Sequence, residues 1–463
     1  MKLIKRLFSG HGENVDMTSG SIPRAMLRYA LPILVGNLLQ YLYNAVDAWV
    51  LGQSGQVEAY AAVGSLSSIT QTLVALFWGF AQGSGIIISR AYGAKDAGRV
   101  SRGAHTALIV TVLIGIVLTV LGMLVSPLLL RIVLGTDGDP AIYNHAKTYL
   151  LIFFGGIIPM LVYNIGAEIM RAVGNSYYPF LFLCTGSVIN IVLDVVFVFA
   201  IPLGVAGVAW ATVIAQAISS VLVLAVLFGR KAPVRLTPRE LRIDGRLTAQ
   251  VWRLGIPVAI QNSVASLSSV FVQSYIAGAN GNQIAILGGY TTFARTMAFI
   301  VQPAAVVTTT VAVFVAHNLG AGNTARAQQG TRWGLLLATV LLTPLLVAAM
   351  LLADYLPYIF TSEGIVVEAA AKLFRYIAIF YLVDVIAYPV TGALRGRGKT
   401  LALMVTSIST QIVARQIYLF VMANFISNDY IPIVFSIPFG IILSALVTVC
   451  LYRRTARREA LPT

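Results

Sequence analysis

The chain is 463 residues long, 58% hydrophobic and only 11% charged, with 32 Lys and Arg against 17 Asp and Glu and a formal net charge of +15. Soluble domains carry about 25% charged residues, so a chain with a mean hydropathy of +0.84 cannot coat itself with solvated groups, and a soluble enzyme is excluded. A nucleic-acid binder would cluster its Lys and Arg on a polar face, while two distant cysteines, Cys184 and Cys450, and four scattered histidines support neither a disulfide framework nor a zinc site.

A helix that crosses a bilayer needs about 20 apolar residues, and twelve such runs are predicted. The segment before Tyr29 holds Lys2, Lys5, Arg6, Arg24 and Arg28 but no apolar core long enough for a secretory signal, so the first span is expected to be retained. Six spans are predicted near 29–51, 60–88, 104–130, 148–170, 180–200 and 207–229. Six more follow near 254–277, 285–315, 333–353, 373–394, 401–425 and 431–452. The expected organisation is a cytoplasmic segment 1–28, an N-lobe 29–229, a linker 230–253 rich in Arg and Pro, a C-lobe 254–452 and a tail 453–463. The fold class is an all-α integral membrane protein: twelve transmembrane helices in two six-helix lobes related by a pseudo-two-fold axis along the membrane normal.

Orientation follows from the basic residues, because Lys and Arg in short loops stay cytoplasmic. With the N-terminus inside, 26 of the 32 basic residues fall in cytoplasmic segments, against four outside (Arg131, Lys147, Lys372 and Arg375) and two within spans, Arg295 and Arg415. Both termini are then cytoplasmic, and linker arginines such as Arg239, Arg242 and Arg246 read as topology signals that touch lipid headgroups.

The two halves repeat each other. Pro32 and Asn37 recur 225 positions on as Pro257 and Asn262; Gly93, Arg99 and Gly103 recur as Gly320, Arg326 and Gly330; Arg171 and Gly174 recur as Arg395 and Gly398. Six spans per half give both halves one orientation, and parallel repeats of this kind characterise secondary transporters.

An ionisable side chain at the bilayer centre costs about 2.5 to 3.5 kcal/mol on insertion scales and is a functional candidate by default. There are six: Asp47, Glu168, Asp194, Arg295, Asp384 and Arg415. Asn44 and Tyr43 lie three and four residues before Asp47, and Asn190 lies four before Asp194, which stacks amide and carboxylate on one helical face. Two carboxylates with amide and hydroxyl oxygens nearby can take up a proton or a hard cation, the chemistry of a coupling site; the plainer reading of each is a helix-to-helix hydrogen-bonding group. Glu168 precedes Arg171 by three residues, an ordinary ion-pair spacing. Asp384, with Tyr381 and Tyr388 at neighbouring helical positions, is either a second cation or substrate site or a partner for Arg295 or Arg415. Pro32, Pro159, Pro257 and Pro389 each remove a backbone hydrogen bond within a span and permit a bend. The segment GALRGRGKT looks like a phosphate-binding loop, but Ala393 stands where that motif requires glycine, so an ATP-driven pump is unsupported.

The stretches LPILVGNLLQYLYNAVDAWVLGQ and NIVLDVVFVFAIPLGVAGVAWATVIAQ, with LRGRGKT after the tenth span, resemble the multidrug and toxic compound extrusion (MATE) transporters, over nearly the whole chain. That resemblance implies a secondary multidrug efflux transporter of the cell membrane, without cofactor and acting as a monomer. It would export small organic cations in exchange for H+ or Na+ by alternating access between two lobes. Carried over residue by residue, the family's N-lobe cation site, for H+ or Na+, falls on Asp47, Asn190, Asp194 and Thr212, the last placed there by the resemblance alone. It also implies a hinge at Pro32 and an acidic C-lobe position at Asp384, although the glutamate that accompanies that position in some members is here Ala265. A lipid-linked oligosaccharide flippase of the same superfamily is the alternative, disfavoured because only two arginines against four acids lie within the spans. A membrane-embedded enzyme would need a His beside an acid in mid-span, and none is found.

Overall fold

The computed structural model describes residues 14–53, 57–135, 139–229, 234–237 and 242–460. Lys2, Lys5 and Arg6 of the expected N-terminal segment, Arg239 of the expected linker and the end of the tail from Leu461 lie outside the described residues. Those described are helical almost throughout, with an isolated β-bridge between Asn280 and Asp429. In chain order the helices are α1 (Ile22–Gln53), α2 (Val57–Gly93), α3 (Ala97–Leu134), α4 (Pro140–Gly155), α5 (Ile157–Ala172), α6 (Tyr177–Val195) and α7 (Val205–Phe228). Then follow α8 (Gly245–Ala277), α9 (Gln283–Ile300), α10 (Gln302–Gly320), α11 (Thr324–Leu351), α12 (Gly364–Ile377), α13 (Asp384–Gly396), α14 (Thr400–Ser407), α15 (Arg415–Val421), α16 (Tyr430–Val434) and α17 (Ser436–Ala460).

Among the described residues nine helical runs are long and apolar enough to cross a membrane, and a tenth is formed by α4 and α5, bent by 46° at Gly156. The two remaining predicted spans are helical but fall outside that count for physical reasons. The polar residues Asn37, Gln40, Asn44 and Asp47 dilute α1. The run from Thr400 to Ile426, which includes the π-helical segments Ile408–Ala414 and Met422–Ile426, is diluted by Gln411, Arg415, Gln416 and Asn424. The protein is thus an all-α, multi-pass membrane protein.

The described residues divide into two compact units, 14–16 with 27–255 and 17–26 with 256–460. In the first, α2, α3, α5, α6 and α7 share an apolar core around Ile88, Leu108, Ile165, Met170, Phe182 and Val223, and a second cluster joins α4 to its neighbours through Leu130, Leu150, Phe154 and Ile157. In the second, α10 is buried along nearly its whole length from Ala304 to Asn318, and α9 meets α12 through Phe293 and Phe374, whose ring centroids lie 5.0 Å apart.

The internal repeat is visible as repeated turn chemistry. Asp96 caps α3 by accepting the Arg99 N–H at 2.8 Å, and Asn323, 227 positions on, caps α11 by accepting the Arg326 N–H at 2.9 Å. The helices ending near Gly174 and Gly398 close alike. Both glycines adopt positive φ, +87° and +74°, and donate to the carbonyls of Arg171 and Arg395, a left-handed helix end that favours glycine.

Candidate functional site

The site lies inside the first unit, where α1, α4, α5, α6 and α7 meet. Its position is set by apolar packing. Immediately after Asp194 the chain enters a π-helical turn, Val196–Ala200, and Val198 packs with Val50 and Leu51 from α1 and Val205 and Val208 from α7. Such turns interrupt helices often at functional sites. Here the cluster fastens the end of α1 to α6 within a turn of Asp47.

The consequence is that Asp47 and Asp194, far apart in sequence, bring their carboxyl groups within side-chain interaction range. Ionised carboxyls are acceptors only. Both Asp194 oxygens and Asp47 Oδ1 are buried without a hydrogen-bond donor among the described residues, and both polar atoms of the Asn190 amide are likewise unpartnered. Asp194 is 0% and Asn190 2% exposed. Buried polar atoms are normally satisfied, so these carboxyl oxygens are placed to accept from a proton, a cation or a water, and the Asn190 amide to donate and accept beside them. Thr212, on α7, donates its hydroxyl proton to the Val208 carbonyl at 3.1 Å, which leaves its oxygen lone pairs free to accept. Of the expected set, Asp47 of α1 and Asp194 of α6 approach each other, Asn190 lies one helical turn before Asp194, and Asn190 and Thr212 of α7 line one small cavity; carboxylate, amide and hydroxyl oxygens are all hard donors. Among the described residues no three His, Cys, Asp or Glu side chains cluster as a metal centre; the acids here number two, completed by neutral oxygens.

Residues that sequence reasoning did not single out also border this group. Tyr149 of α4 lies within electrostatic range of both Asp47 and Asp194. A small cavity with room for about one water lies beside Asn190 and Thr212, lined also by Tyr163, Ser187 and Gln216 and by Tyr43, which its spacing to Asp47 had already marked. Ser187 lies three residues before Asn190 and Gln216 four after Thr212, helical spacings that were legible in the sequence; Tyr149 and Tyr163 come from other helices and were not.

The other four intramembrane charges fare differently. Glu168, 3% exposed, pairs with Arg171 at 2.9 Å, and the Tyr29 hydroxyl donates to the Arg171 carbonyl at 3.1 Å. In the second unit Asp384 begins α13 just after the 3-10 segment Ala378–Val383, with Tyr381 and Tyr388 in electrostatic range. Arg415 is 6% exposed and donates to Ser268 Oγ at 2.7 Å and to the Ser436 carbonyl at 3.1 Å; neither it nor Arg295, which is exposed, forms a salt bridge with Asp384 among the described residues. Pro32 lies in the interior of α1.

A duplicated, all-helical, multi-pass fold with an intramembrane carboxylate pair defines a membrane transporter, not an enzyme. The MatE family model matches the chain twice, over residues 32–196 and again over 257–420, and the chain belongs to that family of multidrug and toxic compound extrusion transporters. It is 29% identical over 395 residues to the "Probable multidrug resistance protein YoeA" of Bacillus subtilis strain 168, a match covering 84% of each chain. The "Probable multidrug resistance protein YpnP" of the same strain is 25% identical over 449 residues, which cover 96% of this chain and 98% of that one. A solved structure described as the outward-facing conformation of a multidrug resistance MATE family transporter of the MOP superfamily shares the fold at a TM-score of 0.91 and 21% identity, over 97% of this chain and 99% of that one. The two separate family matches begin at Pro32 and Pro257, the same two prolines that the internal repeat aligns.

Proposed function

We propose that the protein is a secondary active multidrug exporter of the cell membrane that expels organic cations in exchange for H+ or Na+ by alternating access, with Asp47, Asn190, Asp194 and Thr212 as its coupling-cation site. The observation that carries this reading is the approach of the Asp47 and Asp194 carboxyls beside a buried amide, with no protein donor on the Asp194 oxygens. The names of the two Bacillus relatives agree with it. A proton or Na+ entering the pair cancels negative charge and weakens the hold on a cationic substrate; its departure restores that hold. A gradient of one pH unit supplies about 1.36 kcal/mol per proton, and 100 mV about 2.3 kcal/mol per charge moved, enough for tenfold accumulation or more. Pro32, which removes an N–H from the interior of α1, serves as the hinge of the helix that carries Asp47. Asp384 with Tyr381 and Tyr388 forms a second candidate cation or substrate site. The protein acts as a monomer with both termini in the cytoplasm.

The test is ethidium efflux from proteoliposomes with H+ and Na+ gradients imposed separately. At least one gradient should drive export, and Asp47→Asn and Asp194→Asn should each abolish driven export while the protein still inserts and folds. Wild-type rates in both variants would overturn the site; no response to either gradient would overturn the exchange.

A further inference from the structure

Arg415, in the second unit, is an intramembrane charge that neither the coupling site nor an ion pair among the described residues absorbs. It follows directly on the π-helical segment Ile408–Ala414 and is 6% exposed. Its guanidinium is fixed in place: Nε donates to the Ser436 carbonyl at 3.1 Å, Nη1 to Ser268 Oγ at 2.7 Å and Nη2 to the Ile437 carbonyl at 3.4 Å. Ser268 in turn donates to the Gln411 carbonyl at 2.5 Å, which leaves its lone pairs to the arginine. Residue 440 is glycine, and a Cβ there would collide with the guanidinium. All three acceptors are neutral, so they satisfy hydrogen bonds but cancel no charge. A guanidinium offers five N–H donors, and these bonds use three of them.

The groups around this charge belong to the same unit. Tyr290 of α9 and Tyr381 of the 3-10 segment Ala378–Val383 lie in electrostatic range of Arg415. Tyr381 is also in range of Asp384, as is Tyr388. Asp384 and Arg415 themselves neither pair nor lie in electrostatic range of each other. Tyr381 thus borders two opposite charges that the packing holds apart. A buried charge is costly unless it is compensated, and a bare cation bound at Asp384 would compensate one of these two and leave the other. A ligand with a cationic and an acidic group on one frame compensates both and adds no net charge.

We infer that the second unit holds a binding station for zwitterionic substrates, in which Asp384 takes the cationic group, Arg415 takes the carboxylate through its remaining N–H donors, and the phenols of Tyr381 and Tyr290 lie along the bound molecule. Arg415 is the specificity-determining residue. Its planar fork matches the geometry of a carboxylate, and its neutral oxygen partners hold it away from Asp384 in the empty station. This deepens the second candidate site at Asp384 and rests on that reading: Asp384 binds the cation, and the arginine selects those cations that also carry an acid.

A rhodamine with a free carboxylate and the methyl ester of the same dye make a matched pair of probes, one zwitterionic and one purely cationic. Fluorescence anisotropy of each dye, titrated with the full chain in lipid nanodiscs, should give a Kd about tenfold lower for the free acid. Arg415→Met should abolish that preference by weakening the free acid alone, whereas Arg415→Lys, which keeps the charge, should retain most of it. Asp384→Asn should weaken both dyes; if it spares both, the second site falls and this inference with it. Equal or weaker binding of the free acid by the wild type overturns the station, as does an Arg415→Met protein that loses both dyes equally, the mark of a purely structural clip. Melting curves identify a variant that fails to fold; if Arg415→Met is one, the wild-type preference and Arg415→Lys decide. The exporter is judged separately, by ethidium efflux. Gradient-driven efflux without a carboxylate preference leaves the exporter standing and removes the station; a preference in a protein that moves no ethidium does the reverse.

Discussion

Glu168 and Arg171 carry opposite charges in a buried setting, and each is satisfied by the other, with Gly85 packed so closely on Glu168 that a Cβ would collide with its carboxylate. Removing one partner of such a pair typically costs about 3 to 5 kcal/mol, because the remaining charge is left buried and uncompensated. Glu168→Gln should therefore lower the Tm of the purified protein markedly while ethidium export by the surviving folded fraction persists; an unchanged Tm would show that the pair contributes little. Asp47 and Asp194 present the opposite case, two acids without a protein donor for the Asp194 oxygens. Their Asn variants are expected to leave the Tm unchanged or raised, since a neutral amide is cheaper to bury than a carboxylate. The two kinds of buried acid are thus told apart by melting as well as by transport. Glu168 was legible as an ion pair from its spacing to Arg171. The Asp pair was legible as two polar helical faces, but their meeting was not, because four helices intervene along the chain between α1 and α6, and packing such as the Val50, Leu51, Val198, Val205 and Val208 cluster brings them together.

Helices in a bilayer gain little from burying apolar surface against one another and instead rely on close backbone approach at small residues. Gly122 on α3 illustrates this: the Phe154 ring of α4 occupies the space a Cβ would need, and the Thr119 hydroxyl donates to the Phe154 carbonyl at 3.1 Å across the same interface. Gly122→Val should destabilise the first unit by about 1 to 3 kcal/mol through overpacking, read as a lower Tm in detergent, whereas Gly64→Ala, in α2 with open space around it, should not. Element types were readable from hydropathy because twelve apolar runs of sufficient length leave little alternative to helix in a membrane. Their irregularities were not. The fourth predicted span, 148–170, contains a 46° bend at Gly156, where Val213 leaves no room for a side chain, and the eleventh is helical only with two π-helical interruptions. Both depend on what the neighbouring helix presents, which local composition does not encode.

Across the whole molecule the net charge of +15 follows the predicted topology. The predicted cytoplasmic segments hold 26 basic residues and the external ones four. With Cys184 and Cys450 replaced by Ser, a single cysteine at Glu363 should react with a membrane-impermeant maleimide on intact cells, and one at Arg457 only after permeabilisation. The reverse pattern would invert the orientation. The amino-acid sequence by itself determined the membrane class, the number of helical runs and the duplication, because hydropathy, charge placement and repeat spacing are properties of the chain read in order. It also marked Asp47, Asn190 and Asp194, since a polar group in an apolar run stands out without any neighbour being known. Tertiary structure alone decided that the two carboxyls meet, that Tyr149 borders them and that a small polar cavity opens beside Asn190 and Thr212. Those facts concern distances between side chains on different helices, and such distances are set by packing, which a linear pattern does not contain.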